Sequence, residues 1–136
     1  MGLFRRSSGP ARNTGEVGRF TSPHSLQDTL EVVYSGLAGQ LTVPEFKVSA
    51  ARPMEAIFVS RLEADSITVT AGNSIDTYFE FRIDLTPAPR GCEGRAYFDR
   101  PERQIRKWVG NTIGLNNGVL MALEAASVRI DNWRTG

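Results

Sequence analysis

The chain has 136 residues, of which 23% are charged and 40% hydrophobic, and its formal net charge is +1. This length fits one domain with a single core, and the composition excludes a disordered chain and a membrane-embedded one. A net charge so close to zero gives no support to nucleic-acid binding. The one cysteine, Cys92, cannot form an intrachain disulfide, which fits a reducing, cytoplasmic environment.

The first elements are predicted to be a basic tail, a short strand and a helix. Residues 1–15 are rich in Arg, Ser, Gly and Pro, which predicts a flexible tail ahead of a single α+β domain over residues 16–136. Residues 16–20 are a candidate strand. The following helix has two alternative N-caps, either Ser22, which precedes a proline, or Ser25, which has an aspartate three residues later. Its apolar face is predicted to contain Leu26, Leu30, Val33 and Leu37.

The middle of the chain changes to the period of two that is typical of strands. Strands are predicted over residues 46–51, 54–62, 66–71, 74–86 and 92–98. The clearest is residues 74–86, where alternation places Phe79, Phe81 and Ile83 on one buried face and charged residues on the other. We therefore expect about five antiparallel strands in one sheet.

Residues 101–131 have the period of a long helix, because apolar residues recur there at spacings of three, four and seven. A glycine costs a helix roughly 0.5–1 kcal/mol relative to alanine, so close packing or an adjacent ligand must offset the glycines present. Asn117 followed by Gly118 is a turn signal and allows two shorter helices, but the unbroken apolar period favours one. We expect the side of that helix that carries only small residues to face the sheet. The small residues on this side recur every fourth position: Gly110, Gly114, Gly118, Ala122 and Ala126.

This order of elements resembles the helix-grip fold of the START/polyketide-cyclase (Bet v 1-like) superfamily. The similarity is carried by residues 17–30, VGRFTSPHSLQDTL, which are similar to the family's opening strand, Ser-Pro and helix. It continues through the strands of residues 46–98 and the closing helix. The family's second short helix, and a tryptophan that often follows the first helix, are absent. The chemistry of this superfamily is not fixed by its fold, so no catalytic residue is transferred.

The resemblance implies an antiparallel sheet wrapped around the C-terminal helix, with a hydrophobic ligand held between the two in many members. Together with the element order, it predicts an α+β fold. The prediction is an antiparallel curved sheet of about five strands packed on a long C-terminal helix, with one N-terminal helix.

No catalytic or metal-binding set stands out in the sequence. The single histidine, His24, lies at a helix start, and a His/Cys metal site or a Ser-His-Asp triad needs further partners. We interpret His24 as a surface residue and Cys92 as a packing residue. Neither a phosphate-binding loop nor a dinucleotide fingerprint is present. These observations favour a non-enzymatic function without a cofactor.

Two functional hypotheses follow. The first is binding of a small apolar or amphipathic ligand between the sheet and the C-terminal helix. Its predicted lining consists of Phe79, Phe81, Ile83, Trp108, Gly110, Gly114 and Gly118. A basic cluster near the start of that helix offers an anion contact through Arg95, Arg103 and Arg106. The second hypothesis is a protein-interaction module, such as a homodimer, that uses an edge strand or an exposed helix side. A membrane is not an expected partner, because polar residues interrupt the apolar run of the last helix.

Overall fold

The computed structural model describes residues 15–42, 56–72, 77–99 and 109–134. These residues form six strands and two α-helices, and a short 3-10 turn, Ala38–Gln40, follows the first helix. The elements in chain order are β1 (Gly15–Ser22), α1 (Leu26–Leu37), β2 (Ala56–Glu63), β3 (Ser66–Gly72), β4 (Thr77–Ala88), β5 (Gly91–Asp99), α2 (Val109–Ala125) and β6 (Arg129–Trp133).

Several predicted features lie outside the described residues. They are the tail before Gly15, the strand over residues 46–51, the first turns of the long helix over residues 101–108, and the candidate site residues Arg103, Arg106 and Trp108.

The six described strands form one antiparallel sheet in the order β2-β3-β4-β5-β1-β6. Strands β2 to β5 pair with each other in chain order. Strand β1 lies between β5 and β6 and pairs with both, so the first described strand is next to the last one. In β4 the side chains of Phe79, Phe81 and Ile83 are buried on what we call the core face, while Arg82 is exposed on the outer face. The predicted alternation in this strand and the predicted α+β fold are confirmed.

Helix α1 begins at the second of the two predicted caps. The hydroxyl of Ser25 accepts a hydrogen bond from the backbone N–H of Asp28 at 3.1 Å, which satisfies one donor of the first turn. Ser22 instead ends β1, and its hydroxyl lies 2.8 Å from the hydroxyl of Thr29 inside the protein. The proline after Ser22 therefore belongs to the connection between strand and helix.

The prediction that the last helix runs to residue 131 is wrong. Helix α2 ends at Ala125, and Ser127 has a φ of 63°, the left-handed conformation that commonly ends helices. The chain then turns into β6, where Ile130 pairs with Phe20 of β1 instead of continuing the helical apolar series. Between residues 109 and 125 the helix is continuous through Asn117, so the alternative of two short helices is also wrong there.

Strand β6 is fastened to α2 by a buried amide. Asn116 is only 5% exposed, and its Oδ1 accepts a hydrogen bond from Trp133 Nε1 at 2.7 Å. Its Nδ2 donates to the backbone oxygen of Arg134 at 2.8 Å. The indole of Trp133 lies directly on Gly18 of β1, where a Cβ atom would stand 2.1 Å from the ring. The glycine therefore makes room for the indole, and the amide fixes the position of the indole.

Helices α1 and α2 lie side by side, in contact through their backbones. A Cβ atom added at Gly118 would be 2.2 Å from the carbonyl oxygen of Gly36, and one added at Gly36 would be 2.5 Å from that of Gly118. A Cβ at Gly114 would meet the amide of the Gln40 side chain, whereas one at Gly110 would meet nothing within 4 Å. The small residues of α2 therefore face α1 at Gly118, and the prediction that this side faces the sheet is wrong.

We predict that Gly118→Ala destabilises the protein by roughly 1–3 kcal/mol, because the new methyl group forces two backbones apart. Gly110→Ala is the matched control on the same helix, and we expect it to stabilise the protein by up to about 1 kcal/mol through helix propensity alone. Urea unfolding measures both free energies. Equal effects of the two substitutions would contradict the close contact.

We also predict that Asn116→Ala lowers the free energy of unfolding by about 1–3 kcal/mol, because the indole N–H and a backbone carbonyl lose their buried partner. Asn117→Ala changes the same residue type one position along, where the side chain makes no hydrogen bond within the described part of the chain. Thermal unfolding followed by tryptophan fluorescence compares the two variants. The account is wrong if Asn117→Ala costs as much as Asn116→Ala.

Candidate functional site

The two halves of the predicted ligand site do not face each other. Phe79, Phe81 and Ile83 are at most 1% exposed and belong to one buried cluster that also contains Leu115 and Val119 of α2. The bulky side of α2 therefore covers the sheet. The glycines of the predicted lining lie elsewhere, since Gly118 contacts α1, Gly114 lies at Gln40, and Gly110 is exposed. Helix α1 occupies the space beside Gly118 where a ligand is predicted.

An apolar groove lies on the other side of α1, between this helix and the end of β2. Its volume is about 660 Å³, and it is open to solvent. We call it the α1–β2 groove. The residues that line it are Leu26, Gln27, Leu30, Glu31, Tyr34, Leu62, Glu63 and Ala64.

The groove exists because α1 carries apolar residues over more than one side. Thr29, Val33 and Leu37 recur every fourth position and are completely buried in the core. A second series with the same spacing, Leu26, Leu30 and Tyr34, is only partly buried. Residues four apart lie on one side of a helix, so the second series forms a separate apolar strip next to the core. That strip is the helical wall of the α1–β2 groove.

The opposite wall depends on an irregularity in β2. Val59 pairs with Val69, but the register then shifts so that Arg61 pairs with Thr68 and Leu62 with Ile67. A bulge of this kind reverses the faces of the residues that follow it. Ile67 is buried on the core face and pairs there with Ile83, so Leu62 also points to the core face. Leu62 nevertheless remains 49% exposed.

The predicted anion contact Arg95 lies on the outer face of the sheet and is already paired. Its Nε is 3.0 Å from Glu16 Oε1, and its guanidinium lies 5.6 Å from the ring centre of Tyr97. Arg19 binds the other oxygen of Glu16 at 2.7 Å, and this hydrogen bond is the main reason that the pKa of Glu16 is lowered. Burial, aided by the hydrogen bond to Asp84, raises the pKa of Tyr97. The charges around Arg95 on the outer face are thus already paired with one another.

The remaining chemically notable side chains hold elements together. The thiol of Cys92 is completely buried 3.3 Å from the hydroxyl of Thr29, as expected for a packing residue. His24 is half-buried, and its Nε2 lies 2.7 Å from the carbonyl oxygen of Ala126, which joins the start of α1 to the end of α2. Within the described ranges no group of three or more His, Cys, Asp and Glu could hold a metal ion. Neither of the two described helices has the length and apolarity needed to span a membrane.

Comparisons of the structure with solved structures return several similar chains. Protein MLL2253 from Mesorhizobium loti superimposes with a TM-score of 0.50 at 13% identity, over 83% of this chain and 98% of that one. Ara h 8.0201 gives a TM-score of 0.47 at 12% identity, over 84% and 99% of the two chains. CalU16 from Micromonospora echinospora gives 0.42 at 10% identity, over 88% and 97%. Identities this low bear on the fold alone.

The sequence comparisons add no relative, since no protein-family model and no curated protein matches the chain. The fold agrees with the resemblance found in the sequence. An open, curved antiparallel sheet with one N-terminal and one C-terminal helix is the helix-grip arrangement.

Sequence reasoning missed the α1–β2 groove, although half of its signal is present in the sequence. Leu26, Leu30 and Tyr34 are spaced by four and form a strip distinct from Val33 and Leu37, whereas the predicted apolar face combines Leu26 and Leu30 with Val33 and Leu37. The other half has no sequence signal, because the bulge at residues 59–61 follows from the register with β3. Without that bulge, Leu62 would be assigned to the outer face.

We predict that Glu16→Gln weakens the loss of stability on acidification. A carboxylate whose pKa is lowered on folding stabilises the protein above its ordinary pKa of 4.5, and this contribution is lost as the pH falls through the folded value. The network is partly exposed, so the effect at neutral pH is at most about 1 kcal/mol. Unfolding free energies measured between pH 7 and 3 test this, with Glu124→Gln on α2 as the control. Parallel pH curves for wild type and Glu16→Gln would contradict the network.

Proposed function

We propose that this protein binds a small, predominantly apolar ligand in the α1–β2 groove. The observation that carries the proposal is the pairing of two apolar walls that stay partly exposed among the described residues, Leu26 and Leu30 on α1 and Leu62 on β2. Partly exposed leucines on facing walls lose unfavourable water contact when a ligand enters, at about 25 cal/mol per Å² of apolar surface buried. The groove is also concave and mostly apolar with a few polar groups, which is typical of sites for small molecules.

The helix-grip resemblance agrees with a hydrophobic ligand but places it between the sheet and the C-terminal helix. In this chain the bulky side of α2 packs on the described sheet and its small residues contact α1. The proposal therefore moves the ligand from α2 to α1 while keeping the core face of the sheet as one wall. Phe81 and Ile83 then belong to the packed core beside the site and do not line it.

A neutral fluorescent probe tests the proposal. N-phenyl-1-naphthylamine becomes strongly fluorescent in an apolar site, so its dissociation constant is measured directly. We expect Leu62→Gln to weaken probe binding about three- to tenfold, since roughly half the transfer free energy of a leucine side chain is lost from one wall. The substitution should leave stability nearly unchanged, because Leu62 is 49% exposed.

Met121→Gln is the matched control. Met121 is 67% exposed on α2 and does not line the groove, so its substitution removes a comparable exposed apolar side chain elsewhere. Probe affinity should remain that of the wild type. The proposal fails if the probe does not bind, or if Leu62→Gln and Met121→Gln have the same effect on its affinity.

A further inference from the structure

We infer that this protein forms a symmetric homodimer in which the β6 strands of two copies pair antiparallel, centred on Ile130. The inference is independent of the proposed function, because β6 and β2 are the opposite edges of the described sheet. Three features of β6 carry it: an open backbone edge, a self-complementary order of charges, and partly exposed apolar side chains next to both.

The backbone of Ile130 points away from the sheet. Strand β6 pairs with β1 on one side, and no described strand pairs with its other side. The backbone N–H of Arg134 donates to the carbonyl oxygen of Val17 at 2.7 Å. Carbonyl groups alternate in direction along a strand, so those of Val17 and Arg19 point to β6 and that of Phe20 points to β5. Ile130 lies opposite Phe20, so its own N–H and C=O point to the open side, where an added strand can pair with them.

The charges beside Ile130 are complementary to a second copy of themselves. Arg129 precedes Ile130 and Asp131 follows it, and Arg129 Nε lies 2.8 Å from Asp131 Oδ1. In an antiparallel pair centred on Ile130, Arg129 of each copy lies opposite Asp131 of the other. The four charges then alternate in sign around the two-fold axis, so each has an opposite charge both in its own strand and across the interface.

These charges also select the register of the pairing. Charged residues on an edge strand usually prevent pairing with another chain. A pair centred on Arg129 or on Asp131 brings two like charges directly opposite each other, which is destabilising. The pair centred on Ile130 avoids this conflict. The direction of the backbone and the order of the charges are independent features, and both identify the same residue as the centre.

The side chains next to this centre offer apolar surface. Ile130 and Trp133 are only partly buried and pack at the border of the core. Leu120 lies one turn of α2 after Asn116, whose side chain binds Trp133, so Leu120 is on the same side of the helix and is also partly buried. The proposed pairing covers part of this apolar surface, and its removal from water favours association.

Sedimentation equilibrium tests the inference. Between about 10 µM and 1 mM we expect the average mass to rise from the 15.0 kDa of the monomer towards twice that value, because an interface built on one short strand is small and reversible. In 0.5 M NaCl the dissociation constant should increase, since salt screens exposed charges. Hydrogen exchange of the Ile130 amide should slow as the protein concentration rises, because its N–H is then hydrogen-bonded.

Charge reversal locates the interface. Arg129→Glu places like charges opposite each other at both symmetric positions, so we expect the dissociation constant to rise at least about tenfold. Arg129→Glu combined with Asp131→Arg restores the alternation and should return the constant to within about threefold of the wild-type value. Arg61→Glu is the matched control, since it makes the same change in net charge on β2, at the opposite edge of the described sheet, and should leave dimerisation unchanged.

Circular dichroism and thermal unfolding establish that each variant is folded. A mass of 15.0 kDa at every concentration overturns the inference. Equal dimerisation of Arg129→Glu and the wild type also overturns it, as does a double variant that dimerises no better than Arg129→Glu alone. If Arg129→Glu does not fold, hydrogen exchange of the Ile130 amide decides, and an exchange rate independent of protein concentration overturns the inference.

Discussion

The contact between Gly36 and Gly118 determines how the two helices share the sheet. With no side chains between them, α1 and α2 lie close together, and the bulky residues of α2 point to the sheet beside those of α1. The glycines weaken helix propensity, and the close contact compensates for this cost. The same contact brings the start of α1 to the end of α2, where His24 meets the carbonyl of Ala126. The chain then leaves α2 and completes the sheet as β6.

The position of α1 has a direct consequence for function. One side of this helix contacts α2 and a second is buried on the sheet, while the strip of Leu26, Leu30 and Tyr34 is only partly buried. The bulge in β2 turns Leu62 towards the same space from the other side. The candidate site is therefore a product of two local features, a helix with an extra apolar strip and a strand with a shifted register.

Much of the fold could be predicted from the sequence because its patterns are local. The alternation in β4 and the continuity of α2 through Asn117 follow from side-chain periodicity, and capping chemistry limits the start of α1 to Ser22 or Ser25. The end of α2 could not be predicted in this way, because Ile130 is in phase with the helix and only its pairing with Phe20 places it in a strand. The spacing of the small residues was also recognised, but a period identifies one side of a helix and not the element that it contacts.

The candidate site was harder to predict than the fold, because it depends on long-range register and on relative helix position. Phe79, Phe81 and Ile83 were correctly predicted to be buried, but they belong to the packed core and do not line the groove. Arg95 was predicted to contact an anion as part of a basic cluster, but the carboxylate it binds is Glu16, which lies 79 residues away in the sequence. Contacts at this sequence distance leave no periodic signal in the chain.

The location of a bound ligand is the most direct test of this account. Methyl-labelled protein bound to N-phenyl-1-naphthylamine allows nuclear Overhauser effects between the probe and each leucine to be measured. The account predicts contacts from the probe to the methyl groups of Leu26, Leu30 and Leu62, and none to Leu115 or Leu123. Contacts to Leu115 and Leu123 without any to Leu62 would place the ligand under α2 and contradict the account.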